Sequence, residues 1–209
     1  MIDLQLIENL NLKLQQSLPG LNAQLEMTSL LRGQKWEVRE DHRKSGVLLC
    51  LYPQADQWHI ALMKRTQDEG VHSGQISFPG GRFEDSDRNY THTALREAEE
   101  ELGIPQQEVQ VLGALTELYI SPSNFMVYPT VGYMLRRPAF VLDPKEVAEL
   151  IEVEIDLFLQ EEIRKNRRIK LGQNMKIEVP TFLVKGHIIW GATAMILNEF
   201  LHLWRELPQ

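Results

Sequence analysis

The chain has 209 residues, 43% of them hydrophobic and 24% charged, which is enough for one sizeable core. Its net charge of −7, without any basic block interleaved with aromatics, excludes a nucleic-acid groove, and no apolar run of about 18 residues is present, so no membrane-spanning helix is expected. The single cysteine, Cys50 in "GVLLCLY", excludes an internal disulfide and a cysteine metal cluster, and reads as a buried structural thiol.

The opening segment "MIDLQLIENLNLKLQQSLPG" lacks both a basic start and an unbroken apolar stretch, so it does not read as a signal peptide, and a cytoplasmic protein is expected. Ile7, Leu10, Leu14 and Leu18 predict instead a helix with one packed face, stopped by Pro19-Gly20. This gives a helical extension at about residues 1–20 on a single domain covering 1–209. Residues 46–52, "GVLLCLY", and 58–64, "WHIALMK", predict strands flanking a "PQADQ" turn. Residues 65–81, with Gly70, Gly74, Gly80 and Gly81, predict a loop wrapped around a site, "QISF" being a short extended piece. A helix follows over about 89–102, with Gly103 as C-cap and Pro105 blocking continuation. "VQVLGALTELYI" predicts a strand, "SPSN" a turn, and "MVYPTVGYML" another strand. "DPKEVAELIEVEIDLFLQEEIRKN" mixes a strand with a helix, and "RRIKLG" and "MKIEVPTFLV" are late strands around a "GQN" turn. "WGATAMILNEFLHLWREL" is the final helix, with Leu197, Phe200, Leu201 and Trp204 facing the core. Strands mixed with a few helices define an α/β sandwich.

Acids crowd the end of the 89–102 helix: Glu97, Glu99, Glu100 and Glu101. At about 100° per residue, Glu100 lies roughly 60° to one side of Glu97 and Glu101 roughly 40° to the other, so these three share a face. Leu95, Ala98 and Leu102 form the core-facing stripe, and Glu99 points away from the other acids. Like charges at i,i+4 destabilise a helix by about 0.2–0.5 kcal/mol per pair. Acids at the C-terminal end oppose the dipole by a further ~0.3–1 kcal/mol each. A solvated acidic face tolerates such terms. A hard divalent cation reverses them, because Mg²⁺ takes a few carboxylates and keeps positions for water and phosphate. The preceding "FPGG" supplies glycines whose backbone can approach a metal or phosphate closely.

The stretch from Gly81 to Ile104 resembles the Nudix box, the signature of the Nudix hydrolases: a glycine, five residues, an acid, seven residues, then R-E-U-x-E-E-x-G-U with U apolar. Gly81 takes the glycine and Asp87 the acid, with Asp in place of the usual Glu. Arg96, Glu97, Ala98, Glu100, Glu101, Gly103 and Ile104 take the rest. Eight residues rather than seven separate Asp87 from Arg96, and the extra one falls between loop and helix. The resemblance implies a Nudix-type α/β/α sandwich, a mixed β-sheet between helices. It also implies Mg²⁺ or Mn²⁺ on the helix carboxylates, and hydrolysis of a pyrophosphate bond in a nucleoside diphosphate derivative. It makes Glu97, Glu100 and Glu101 metal ligands, with the Gly81 carbonyl as a further one, and Arg96 the residue that orients the acids. Asp87 and Glu84 are both open as its partner, and Glu97 and Glu146 are both open as general base.

Upstream, "ALMKRTQDEGVHSGQISFPGG" is similar to the additional motif of the coenzyme A pyrophosphatase branch of that family. Leu62, Arg65, His72, Gly74, Phe78, Pro79, Gly80 and Gly81 match, while Glu69-Gly70 stand where the motif has Leu-Arg. The later "TALREA", "PTVGY" and "IIWGATAMIL" also look like that branch. The resemblance implies cleavage of coenzyme A or its thioesters to phosphopantetheine and adenosine 3′,5′-bisphosphate, with Lys64, Arg65, His72 and Gly80 on the substrate. The other readings are a Nudix hydrolase for another nucleotide and a Nudix-shaped module that binds a nucleotide without catalysis. Trp36, Trp58 and Trp190 read as core or rim packing, with base stacking as the alternative. The expected partner is a small nucleotide, with neither nucleic acid nor membrane, in a monomer or homodimer.

Overall fold

A computed structural model describes residues 3–28, 37–67, 74–171 and 175–208. Helix α1 (Leu4–Leu14) buries Ile7, Leu10 and Leu14 of the expected stripe together with Leu6, and Leu18 lies beyond its end. It ends earlier than Pro19-Gly20 suggested, at the C-cap Gln15, and Pro19 instead precedes a second short helix, α2 (Gly20–Leu25). Proline fixes a helix-compatible φ and needs no backbone donor, so it starts a helix as readily as it stops one.

Strands β1 (Arg43–Gln54) and β2 (Gln57–Arg65) form an antiparallel hairpin. Its turn is tighter than predicted: only Ala55 and Asp56 leave the ladder, at φ 52° and 61°. Two positive φ values match the right-handed twist of the flanking strands. Two short strands follow, β3 (Ile76–Ser77) and β4 (Gly80–Arg82), then helix α3 (Tyr90–Leu102). The single strand predicted over "VQVLGALTELYI" is two, β5 (Gln110–Ala114) and β6 (Leu118–Ile120), and both pair antiparallel with β7 (Phe125–Tyr133). Strand β8 (Val147–Glu154) leads into a single 3₁₀ turn, Ile155–Leu159, where a helix was expected. Strands β9 (Arg164–Leu171), β10 (Met175–Val184) and β11 (His187–Ile189) form a separate antiparallel sheet, and helix α4 (Gly191–Arg205) closes the fold.

Among the described residues eight strands make the main sheet, along the path β3-β2-β1-β7-β5 with β4, β6 and β8 as side pairings. Strand β1 lies parallel to β7 and antiparallel to β2, so the sheet is mixed. The apolar run of β1 divides by parity. Leu48, Cys50 and Tyr52 pack with Ala94, Ala98 and Leu102 of α3. Leu49 and Leu51 pack with Leu197, Phe200, Leu201 and Trp204 of α4 and with α1. A sheet buried on both faces between helices is the predicted α/β/α sandwich. Cys50 is fully buried, and burial pushes its thiol up to about 12, so it is a packing residue.

Inside α4 the carboxylate of Glu199 is wholly buried. It accepts the Gln24 Nε2 donor at 2.7 Å and the backbone N–H groups of Gly20 and Thr116, each at 3.2 Å. Three donors on one buried acid fasten α2 and the β5–β6 bend to α4. No described helix is long and apolar enough to cross a membrane.

Candidate active site

Helix α3 starts and stops where its sequence dictates. The Asn89 side chain accepts the His92 N–H at 2.8 Å, and Gly103 takes the left-handed C-cap at φ 68°. Ala98 and Leu102 then face the sheet, which turns Glu97 and Glu101 toward β4. Glu101 is only 2% exposed. Its Oε2 accepts the Gly80 N–H at 2.7 Å, and its Oε1 lies 3.4 Å from Arg65 Nη1. Burial pushes its carboxyl up to about 8, against the opposing pull of the Gly80 N–H and Arg65. Burial also raises Glu97, against the neighbouring Arg96.

Arg96 is the hub behind these acids. It grips Asp87 with Nε to Oδ1 at 3.0 Å and Nη2 to Oδ2 at 3.1 Å, a bidentate pair. Its Nη1 reaches Glu97 at 2.9 Å and Glu100 at 3.0 Å, and Nη2 also donates to the Arg82 carbonyl at 3.1 Å. Asp87, buried, also accepts from Thr93 Oγ1 at 2.9 Å and from the Glu84 backbone N–H at 3.0 Å, and has His92 Nδ1 at 2.9 Å. Arg96 thus holds Asp87 well below the usual carboxylate range, and Asp87 in turn raises Arg96. Of the two acids the sequence left open as its partner, Asp87 makes the ion pair and Glu84 contributes only its backbone.

Glu97 and Glu101 line a cleft of about 600 Å³ together with Arg65, Gly80, Gly81 and Glu146. Glu146 arrives from the loop before β8 and stands at the mouth, half exposed, 3.8 Å from Arg65 Nη2. Glu100 does not line the cleft; its side chain is 59% exposed and turned to Arg96. Glu99 faces elsewhere and binds the Gln106 side chain at 2.6 Å. Lys64 does not line the cleft either, whereas its neighbour Arg65 does. His72, Glu69-Gly70 and Trp36 lie outside the described residues. Trp58 is buried in the core, and Trp190 lines the cleft.

The residues present fit a divalent cation. A Cβ built at Gly81 would stand 2.4–2.5 Å from all three carboxyl atoms of Glu97, so the glycine leaves space filled by that acid against the β4 backbone. Glu101 is buried with less positive charge around it than its ionised form needs. Among the described residues no three acidic, imidazole or thiol side chains already converge as a cage. Mg²⁺ asks for less than that, one or two carboxylates plus substrate oxygens and water.

The far wall of the cleft was missed by sequence reasoning. Tyr119, Ile120, Ser123 and Phe125 supply one stretch, and Met195 and Ile196 another, beside Trp190, which the sequence had offered as rim packing. "SPSN" reads only as a turn, and "WGATAMILNEFLHLWREL" only as a helix with a core-facing stripe. The period-two alternation that carries Ser45 and Val47 to the cleft face of β1 was the available signal.

A cleft lined by acids of one helix, set in an α/β/α sandwich, has the architecture of the Nudix fold. The NUDIX domain pattern matches residues 42–174, and the chain belongs to the NUDIX domain family. It is 34% identical over 166 residues to Nudix hydrolase 22, chloroplastic, of Arabidopsis thaliana, covering 77% of this chain and 55% of that protein. It is 38% identical over 143 residues to the Nudix hydrolase NudL of Pectobacterium atrosepticum, covering 67% and 72%. The chain thus spans little more than half the length of the plant relative. The MutT protein from Methanosarcina mazei Go1 superposes with a TM-score of 0.52 at 16% identity, over 81% of this chain and 98% of that one, a likeness of fold.

Proposed function

We propose that the protein is a divalent-metal-dependent pyrophosphohydrolase that cleaves the diphosphate of a nucleoside diphosphate derivative, coenzyme A or its thioesters being the best-fitting substrates. The observation that carries this reading is the placement of Glu97 and Glu101 beside the Gly80-Gly81 backbone on the wall of the cleft, with Arg65 among them. The coenzyme A assignment rests on the Arg65–Gly81 motif and on the later matching segments.

Glu97, Glu101 and the Gly81 carbonyl would hold the metal, with Glu100 joining from the same face by leaving Arg96. Bound there, Mg²⁺ or Mn²⁺ neutralises the diphosphate and makes water a better nucleophile. The chain's own residues do the rest. Arg65 stands where a phosphate oxygen would replace the carboxylates it now meets. Arg96, anchored on Asp87, fixes the rotamer of Glu97. Glu97 is tied to Arg96 at 2.9 Å, whereas Glu146 stands half exposed at the mouth. Glu146 is therefore the side chain that takes the proton of the attacking water. Water's oxygen bonds to one phosphorus, the bridging P–O bond breaks, and the two halves leave as phosphate monoesters.

The test is turnover with Mg²⁺ or Mn²⁺ on coenzyme A, ADP-ribose, NADH and diadenosine polyphosphates. Preferred cleavage of coenzyme A to phosphopantetheine and adenosine 3′,5′-bisphosphate is expected. Preference for any of the others overturns the coenzyme A assignment, and no turnover of the whole panel overturns the catalytic reading.

A further inference from the structure

We propose that Phe125, backed by Arg43 and flanked by Ser123 and Ser45, is the plate on which the cleft binds a planar nucleobase ring. This deepens the pyrophosphohydrolase reading and rests on it for the molecule that carries the ring.

The plate is built before any ligand arrives. Arg43 and Phe125 are cross-strand partners on the parallel pair β1–β7, and the guanidinium carbon lies 4.2 Å from the centre of the Phe125 ring. Arg43 Nη2 donates to the Ser123 carbonyl at 2.7 Å, which holds the guanidinium over the ring. Phe125 itself lines the cleft. A pre-ordered aromatic loses little side-chain freedom when a ring stacks on it, and the cation behind it adds a favourable electrostatic contact.

The neighbouring polar groups distinguish a nucleobase from a purely apolar arm. Ser123 is 8% exposed and lines the cleft, yet among the described residues its buried hydroxyl has no hydrogen-bond partner. Ser45, also 8% exposed, lines the same cleft. A buried hydroxyl without a partner is destabilising. A heteroaromatic edge would satisfy Ser123, and an alkyl chain would leave it as it is. The spacing also suits a nucleotide. Gly81 pairs with Gly46 on one side of β1, while Phe125 pairs with Arg43 on the other. Three residues along and two strand spacings across amount to on the order of 10–15 Å, room for a sugar and its phosphate between ring and acids.

The experiment is calorimetric titration of the full chain with 5′-AMP and with ribose 5-phosphate, which lacks the ring, followed by steady-state kinetics on any diphosphate that is hydrolysed. The wild type should bind 5′-AMP at least about tenfold more tightly than ribose 5-phosphate, the size that base–aromatic stacking supplies. Phe125→Ala should bring the two ligands together and raise KM with kcat nearly unchanged, and Phe125→Trp should restore the difference. Phe125→Leu keeps apolar bulk without a ring and serves if the alanine variant does not fold. Equal 5′-AMP affinity in wild type and Phe125→Leu, no measurable 5′-AMP binding by the wild type, or a parallel loss of ribose 5-phosphate each overturns the plate. Diphosphate turnover with no ring preference would overturn the plate alone, and 5′-AMP binding without any turnover would overturn the catalytic reading alone.

Discussion

Gly81→Ala separates holding the fold together from aiming an acid. The added Cβ would meet Glu97 Cδ and Oε2 at 2.4 Å and Oε1 at 2.5 Å, whereas real Cβ contacts keep at least 3.0 Å. The carboxyl must retreat by about 0.6 Å to reach even that limit. It sits at the end of a flexible side chain, so it can move. The retreat weakens the 2.9 Å contact with Arg96, but Arg96 keeps both bonds to Asp87. Loss of one such contact costs about 0.5–1.5 kcal/mol, partly offset by about 0.4–1 kcal/mol from a less flexible unfolded chain. Net stability should change by no more than ~1 kcal/mol, or about 2–4 °C in Tm. Activity should respond far more, because a misplacement near 1 Å costs about 100-fold. Gly80→Ala is the contrast. Its Cβ would stand 2.3 Å from the Gly46 carbonyl oxygen and 2.6 Å from Val47 Cα, at φ 154°. Backbone cannot swing aside, so this variant should lose roughly 3 kcal/mol or more. Differential scanning calorimetry and diphosphate turnover on both variants decide the matter. A Gly81→Ala protein that melts like Gly80→Ala, or that keeps wild-type kcat, would show that Gly81 does not aim Glu97.

Glu101→Gln and Glu100→Gln should each lower kcat by about 100-fold or more through the metal site. Glu99→Gln, whose carboxylate serves Gln106, should stay within about twofold; equal losses at 99 and 101 would show that the helix face has been misassigned. Mg²⁺ or Mn²⁺ at 100 times Kd should stabilise the wild type by about 2.7 kcal/mol in thermal unfolding, and clearly less in Glu101→Gln. Equal gains in both would remove Glu101 from the ligand set. Asp87 has its folded pKa depressed by Arg96, so its stabilising contribution is present above the unfolded carboxylate value near 4 and is lost as pH falls below it. Asp87→Asn should lower stability at pH 7 by roughly 2 kcal/mol, read from thermal unfolding, and flatten the fall between about pH 4 and 2. An acid limb as steep as wild type would place that dependence on other groups.

The parts of this molecule that the sequence made legible are those whose causes are local. Helix α3 needs only Asn89, Gly103 and an apolar stripe, and all three lie within the helix or at its ends. Strands β1 and β2 announce themselves by apolar runs around a short polar turn. The break between β5 and β6 was not legible, because the bend at Thr116 is held by Glu199, 83 positions away. The 3₁₀ turn at Ile155–Leu159 has apolar residues enough to read as a helix, but the link between β8 and β9 holds only that turn. Within the site, the acids were legible from the phase of one helix. Lys64 and Arg65 are adjacent in sequence, but the pairing of β2 with β8 shifts register between them, and the cleft takes Arg65 and not Lys64. The ring plate was invisible because Arg43 and Phe125 meet only through a parallel pairing across 82 positions.

Glu199 also bears on the order in which the molecule is assembled. Its three donors come from residues 175 to 179 positions away in α2 and 83 away at Thr116, so the knot cannot close until α4 exists. Closing rings of that size is entropically unfavourable before the contacts inside them reward it. During synthesis, the acids, glycines and ring plate, all between Arg43 and Glu146, leave the ribosome before α4. The wall formed by Trp190, Met195 and Ile196 arrives only with α4. Until then the apolar side of β1 and β7 that α4 covers stays wet, and the cleft is a groove open to water on one flank. A shortened chain ending before Gly191 would hold every acid proposed for the chemistry and still lack an enclosed place to perform it.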